Sequence, residues 1–212
     1  MALPELPTHG QETMWAVVLG AILATVGGLV ATQLEGFIRR RERQRGAALL
    51  FGELLSILGL LTDLADDTRT RGDPYGPVTM RLLGAARREC DIYDRNREAL
   101  YDLRDASIRA RIHTLMVQMS LSVDGICEAT SQIHALEDVI APLAADDPRR
   151  DGLSRRRDEL IRQRQAGFDF AVETAIDAKP LIAALSPIAK YSFEAHEAVA
   201  RSARASVRGT VD

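Results

Sequence analysis

The chain has 212 residues, of which 46% are apolar, 27% charged and 5% aromatic, and its formal net charge is −3. The high apolar fraction and the small net charge exclude an intrinsically disordered chain. With only two cysteines, Cys90 and Cys127, the sequence also excludes a disulfide-stabilised scaffold.

The charges are unevenly distributed along the chain. Residues 1–38 contain three glutamates and no lysine or arginine, for a net charge of −3. The remaining 174 residues contain 27 basic and 27 acidic side chains and are neutral overall. A nucleic-acid-binding domain normally carries an excess of positive charge that neutralises phosphates. We therefore expect no nucleic-acid partner.

The first predicted element is a membrane span. Residues 13–34 form a run of 22 consecutive uncharged residues, and a helix of that length, about 33 Å, crosses a hydrocarbon core of about 30 Å. Trp15 lies at its start, where an amphipathic ring is favoured at the lipid–water boundary. A secretory signal peptide would begin with basic residues, which residues 1–12 lack. We predict an extracytoplasmic tail over 1–12 and a transmembrane helix over 13–38.

A basic juxtamembrane collar, residues 39–45, follows the span. It consists of Arg39, Arg40, Arg41, Arg43 and Arg45. Arginines this close to the end of a span stay on the cytoplasmic side of the membrane. The collar predicts a single-pass protein of the cell (inner) membrane, with its N-terminus outside and its C-terminal domain in the cytoplasm.

Small residues repeat at four-residue spacing along the predicted span, at Gly20, Ala24 and Gly28. Such a strip lets two membrane helices approach closely, so it indicates self-association. The alternative is that glycine and alanine are simply common in membrane helices.

A second apolar stretch, residues 46–62, contains one charged residue, Glu53. As a span it would be only about 25 Å long, which is short for a bilayer. Its apolar periodicity continues into the polar residues 63–71, as in a helix that faces a protein core. We favour the core helix, and a second membrane segment is the alternative.

The strongest periodicity of the chain lies over residues 108–143, where apolar or small residues recur at alternating steps of four and three. This heptad pattern predicts one long helix with a bundle seam. The seam residues are Ile112, Leu115, Met119, Ile126, Ile133, Leu136 and Ile140. Flanking apolar residues broaden the seam, which suits a bundle better than a two-stranded coiled coil.

Glycine- and proline-rich turns at 71–77 and 145–152 divide the rest of the chain. We predict a helix over 79–103, whose apolar face Arg97 interrupts and in which Asn96 is a candidate for a kink or a new cap. After Gly152 we predict a return helix that Pro180 kinks, and Pro187 either breaks this helix or opens a last segment. Short connections favour antiparallel neighbours. The predicted fold is all-α: a single N-terminal transmembrane helix, then an up-down antiparallel bundle of about four long helices over 46–187, then a weakly helical C-terminal tail over 188–212.

No motif in the sequence indicates catalysis. There is no glycine-rich phosphate loop, no G-x-S-x-G nucleophile turn and no H-E-x-x-H zinc motif. His113 and His134 are three heptads apart on the same helix, so they cannot share a metal ion. We expect no catalytic residue, no metal, no cofactor and no small-molecule substrate.

Arginines cluster at the start of the return helix, at Arg149, Arg150, Arg155, Arg156 and Arg157. They predict either a docking patch for an acidic partner or an ordinary charged helix start. Together with the span and the seam, they favour a non-enzymatic, membrane-anchored interaction or scaffold protein, which binds copies of itself or another protein. The alternative is an oligomeric membrane effector or pore subunit that assembles through the small-residue strip.

Overall fold

The computed structural model describes residues 9–71, 74–144 and 146–193, together with residues 198 and 202, and it describes side chains from Gln33 onwards. Within these ranges the chain is helical and has no β-strand. The helices are α1 (His9–Arg69), α2 (Pro77–Asn96), a 3-10 helix (Arg97–Asp102), α3 (Ala106–Ile140), α4 (Arg150–Ile176) and α5 (Ala178–Ala189). The chain divides into two compact units, Met1–Arg43 and Gln44–Asp212.

Contacts between side chains show that α2 and α3 of the second unit are antiparallel. In the middle of α2, Arg87 forms an ion pair with Asp124 at 2.8 Å. Near its end, the Tyr93 hydroxyl lies 2.7 Å from Nδ1 of His113. Later positions on α2 thus meet earlier positions on α3.

By the same reasoning, the part of α1 that belongs to the second unit runs antiparallel to α4 and α5. Arg69 at the end of α1 pairs with Asp169 of α4, whereas Gly52 lies against the ring of Phe193, which follows α5. The predicted all-α fold, with helices packed as an up-down bundle, is therefore confirmed.

Residues 46–62 of α1 supply part of the core of the second unit. The fully or nearly fully buried apolar side chains of this stretch are Ala47, Ala48, Phe51, Leu54, Leu55 and Leu58. The Phe51 ring contacts Tyr93 of α2 edge to face, with the ring centroids 6.1 Å apart. These apolar groups are packed against protein, as the core-helix interpretation of this stretch predicts.

The helix predicted over 79–103 ends earlier, at Asn96. In a continuous α-helix, residue 97 would follow Cys90 and Tyr93 on the core-facing side, and burying an unpaired guanidinium there is costly. The chain instead enters the 3-10 helix, which leaves Arg97 exposed and still buries Leu100 and Leu103. Asp105 then caps α3 by accepting hydrogen bonds from two backbone N–H groups.

The return helix is interrupted at Asp177, three residues before Pro180, which lies in the first turn of α5. A missing N–H costs little in a first turn, because those donors have no partner within the helix. The prediction that Pro187 breaks the helix is wrong: Pro187 lies inside α5, which ends two residues later. The carbonyl that its N–H would have bonded belongs to Ala183, which is exposed, so water can replace that bond. Lys190 ends the helix in the left-handed conformation, with φ 52°.

Candidate functional site

The residues predicted to form the membrane span have a helical backbone from His9 onwards. The surroundings of Trp15, Gly20, Ala24 and Gly28 are outside the part of the chain whose side chains the structure describes. In the part of α1 that has described side chains, Gln33–Arg69, the most apolar 18-residue window has a mean hydropathy of 1.8 and is 44% buried. The structure thus contains a helix near the N-terminus that is long and apolar enough to span a membrane, a property that the core helix of a soluble protein can share.

All five collar arginines are exposed. In the first unit, Arg39 pairs with Glu35 one turn earlier, and the guanidinium of Arg41 lies over the Phe37 ring, 4.6 Å from its centroid. An exposed ion pair of this kind contributes little to stability. The charges of the collar are thus available to solvent or to a membrane surface.

Arg45, the last arginine of the collar, belongs to the second unit. Its Nε donates a hydrogen bond to the backbone carbonyl of Ala189, at 2.9 Å. Ala189 is the last residue of α5, where carbonyl groups lack partners within the helix and cations are favoured. Arg45 therefore has a structural role at this end of the bundle.

Three large apolar side chains of the first unit are exposed immediately before the collar. Leu34, Phe37 and Ile38 are 44–57% exposed. Their spacing places them on one face of α1. This exposed apolar face continues the uncharged run of residues 13–34.

The seam of α3 lies in the core of the second unit. Ile112, Leu115, Met119, Ile126, Ile133 and Ile140 are buried, and Leu136 is half-buried. A Cβ atom added to Gly167 of α4 would lie 3.9 Å from the Ser122 carbonyl oxygen. The helices α3 and α4 thus approach closely where their residues are small.

The arginines of the predicted docking patch have partners within the chain or lie in solvent. Arg149 pairs with Asp147 at 2.9 Å and its hydrogen bonds lower the pKa of that carboxyl to about 2. Arg157 pairs with Asp158 at 2.7 Å, and Arg150 donates to a backbone carbonyl of the preceding loop. The two aspartates reduce the net positive charge of the patch. Arg155 and Arg156 are exposed.

A groove between α3 and α4 holds Arg156 beside small and polar residues. Its volume is about 300 Å³, and its lining includes Gly125, Gln163 and Leu121, the last of which is 70% exposed.

At the end of the bundle where the second unit begins, a hollow lies between α2, the 3-10 helix and α3. We call it the proximal hollow. Its volume is about 580 Å³, and its lining includes Tyr93, Arg97, Tyr101, Arg109 and His113. The Phe51–Tyr93 contact places it opposite the start of the bundle part of α1, and away from the turn after Arg69.

Tyr93 and His113 form the floor of the proximal hollow. Tyr93 is buried, and burial raises the pKa of its phenol, so the hydroxyl keeps its proton at neutral pH. Its oxygen lies 2.7 Å from Nδ1 of His113. In the tautomer in which Nδ1 accepts this hydrogen bond, Nε2 carries the proton of the ring.

Two arginines give the proximal hollow its positive charge. Arg109 donates from Nη1 to the carbonyl oxygens of Leu103 and Arg104, at 2.6 and 3.3 Å. This bonding fixes the guanidinium against the loop before α3. Arg97 is exposed and has no hydrogen-bond or ion-pair partner among the described residues.

No pattern in the sequence predicts the proximal hollow. Its lining comes from the end of one helix, a 3-10 segment and the start of the next helix, so no single periodic pattern contains it. Arg97 was the one signal, because it interrupts an otherwise apolar helix face.

Within the described ranges, no group of three or more histidine, cysteine, aspartate or glutamate side chains is arranged to hold a metal ion. The histidine and glutamates at 194–197 lie outside those ranges. Burial raises the pKa of Cys90 to about 12 and raises that of Cys127. Both thiols are therefore poor nucleophiles at neutral pH.

No protein-family model, no curated protein and no solved structure matches the chain.

Proposed function

We propose that this protein is a non-enzymatic, membrane-anchored interaction module, which holds a helical bundle at the cytoplasmic face of a bacterial-type inner membrane. Residues 13–38 would be the anchor, and the bundle would bind another protein or further copies of the chain.

The observation that carries the proposal is the change in surroundings along α1. From Ala47 to Leu58, one face of the helix is buried against protein and includes Phe51, Leu55 and Leu58. Before the collar, by contrast, Leu34, Phe37 and Ile38 are exposed at the end of a 22-residue uncharged run. A face this apolar needs lipid or protein to cover it.

The distribution of charge supports the orientation. The collar carries five arginines within seven residues, and residues 1–12 carry none. This asymmetry favours retention of the bundle on the cytoplasmic side.

The alternative, an oligomeric effector or pore subunit, rests on the strip of Gly20, Ala24 and Gly28. A pore that used residues 46–62 as its second wall would have to withdraw Phe51, Leu54 and Leu55 from the core. Their removal would leave unfilled space in the core, which costs about 2–5 kcal/mol for each leucine-sized side chain. A pore of this kind is therefore less favourable than the interaction module.

The anchor is tested by washing membranes that contain the full chain with alkaline carbonate. We expect the protein to stay in the membrane pellet, and release into the wash would overturn the proposal.

The orientation is tested with reporters fused to the C-terminus. We expect a fluorescent protein to be bright there and an alkaline phosphatase to be inactive. A matched variant changes Arg39, Arg40, Arg41 and Arg43 to Gln and changes Glu5 and Glu12 to Lys, while it keeps Arg45, which bonds Ala189. This variant should invert the result, because the charge bias is reversed.

The alternative is tested by replacing Gly20 and Gly28 together with Leu. Loss of crosslinked oligomers and of vesicle leakage in this variant would support the pore subunit. If both are unchanged, assembly does not use this strip.

A further inference from the structure

We propose that the proximal hollow binds a phosphate ester, and that the ester is the headgroup phosphate of an anionic lipid in the membrane that anchors the chain. The inference rests on the proposed function, because it takes the membrane to lie at this end of the bundle.

The chemistry of the lining selects an anion. Arg97 and Arg109 are permanently charged, and Glu98 is the one acidic residue in the lining. Guanidinium groups present paired N–H donors that match the oxygens of a phosphate. With two arginines and one glutamate, the lining carries a net positive charge and contains the type of group that binds phosphate esters.

The arginines differ in how they are held, and the difference favours binding. Arg109 is fixed by its bonds to the carbonyls of Leu103 and Arg104, so little side-chain entropy remains to be lost there. Arg97 has no partner among the described residues and can turn towards a ligand. The polar floor, Tyr93 and His113, adds further hydrogen-bonding groups.

The size of the hollow suits a small group. A volume of about 580 Å³ falls within the range of about 300–1,000 Å³ that is usual for ligand sites. A lipid headgroup enters such a hollow from its open side while its acyl chains remain in the bilayer.

The location favours a lipid over a soluble phosphate. The second unit begins at this end, at Gln44, ten residues after Leu34 ends the uncharged run. Tyr101, which also lines the hollow, is 82% exposed. Exposed aromatic residues beside basic ones are typical of surfaces that meet lipid headgroups.

The test uses the full chain in nanodiscs of phosphatidylcholine with an increasing fraction of phosphatidylglycerol. NMR signals of the histidine rings report binding, and His134, three heptads along α3 from His113, is the internal reference. We expect the His113 signal to shift and saturate with phosphatidylglycerol, and the His134 signal to stay in place. A His113 signal that does not respond in chains embedded in the nanodiscs overturns the proposal.

The variant Arg97→Gln removes one guanidinium group from the lining. The matched control is Arg95→Gln, because Arg95 is exposed at the same end of the bundle and does not line the hollow. We expect Arg97→Gln to raise the half-saturating fraction of phosphatidylglycerol about tenfold, which corresponds to one lost charge-assisted hydrogen bond. We expect Arg95→Gln to change this fraction less than about twofold, since it removes an exposed charge and the bond to the Asp91 carbonyl but alters no residue that lines the hollow. Equal effects of the two variants would mean that general surface charge attracts the lipid, and the hollow would not be a site.

A third arm adds sn-glycerol 3-phosphate to nanodiscs of phosphatidylcholine alone. We expect no saturating shift of His113 at millimolar concentration. A full shift in this arm would assign the hollow to a soluble phosphate ester and overturn the lipid as its source. Failure of the anchor itself is seen separately, because such a chain would not co-elute with the nanodiscs.

Discussion

Single residues decide how closely α1 approaches the segment after α5. A Cβ atom on Gly52 would lie 2.1 Å from Cζ of Phe193, and that ring is buried. Gly59, seven residues further on the same helix, has no atom within 4 Å of an added Cβ. A glycine inside a helix costs about 0.5–1 kcal/mol relative to alanine. At position 52 the Phe193 ring leaves no room for a Cβ atom, which explains why a glycine is present there in spite of this cost.

The two glycines therefore predict opposite effects. Gly52→Ala should lower the free energy of unfolding by about 1–3 kcal/mol, because the Phe193 ring must move out of its packing. Gly59→Ala should raise it by about 0.5–1 kcal/mol through helix propensity. Denaturant unfolding of the full chain in detergent, followed by circular dichroism, measures both values. Equal values would contradict the close approach of Phe193.

The two cysteines differ in burial, and this difference predicts their reactivity. Burial, followed by the nearby charge of Asp124, raises the pKa of Cys90 to about 12. Cys127 is only half-buried. At pH 8, iodoacetamide should label Cys127 much faster than Cys90, since the thiolate is the reactive form. Mass spectrometry of timed samples measures the two rates, and rapid labelling of Cys90 in the folded chain would contradict the burial.

The same pKa predicts a loss of stability in alkali. The thiol of Cys90 is easier to ionise in the unfolded chain, where its pKa is close to 9, than in the folded chain, where it is about 12. Its contribution to stability is therefore complete below about pH 9 and is lost as the pH rises towards 12. Cys90→Ala should remove this part of the pH dependence of the melting temperature.

Among the elements, α3 has two faces that serve different purposes. Ile126 is 0% exposed, whereas Leu121, on the same helix, is 70% exposed. The heptad spacing in the sequence predicted the first face, because burial recurs with the turns of a helix. It did not predict that an apolar residue as large as Leu121 would remain exposed beside the α3–α4 groove.

Aspartate substitutions distinguish the two faces. Ile126→Asp should lower the free energy of unfolding by several kcal/mol, because it buries a carboxyl group that has no partner. Leu121→Asp should change it by less than about 0.5 kcal/mol, as is usual for exposed positions. Thermal unfolding of the full chain compares them, and an unchanged melting temperature for Ile126→Asp would mean that the seam faces solvent.

The end of α2 shows why element boundaries were harder to predict than the elements themselves. The apolar face that contains Cys90 and Tyr93 predicted a helix, and a helix is present. Its end depends on the alternative path that the 3-10 helix offers, which exposes Arg97 and buries Leu100. Whether such a path packs well depends on neighbouring helices, and a linear pattern contains no information about them.

The whole molecule consists of a first unit with an exposed apolar face and a second unit with its own core. The second unit begins at Gln44, three residues before the first core side chain, Ala47. Among the described side chains, none before Ala47 belongs to this core, and we therefore expect the core to form without residues 1–43.

This division predicts how two truncated chains should behave. A chain that begins at Gln44 should be soluble without detergent and should unfold cooperatively. A chain that begins at Gly59 should not fold, because it loses Phe51, Leu54, Leu55 and Leu58, each worth about 1.5–3 kcal/mol when buried. Expression of both chains, followed by measurement of their thermal unfolding, tests the two predictions. A folded chain from Gly59 onwards would show that α1 is dispensable for the core.

The sequence by itself determined the helical class, the uncharged run before the collar and the long seam of α3, because each depends on residues that are near one another along the chain. Only the tertiary structure decided that residues 46–62 pack in the core, that Arg45 caps the end of α5, and that Arg97, Tyr101, Arg109 and His113 line one hollow. These features depend on contacts between residues that are distant in sequence, and the packing of whole helices determines which of those residues meet.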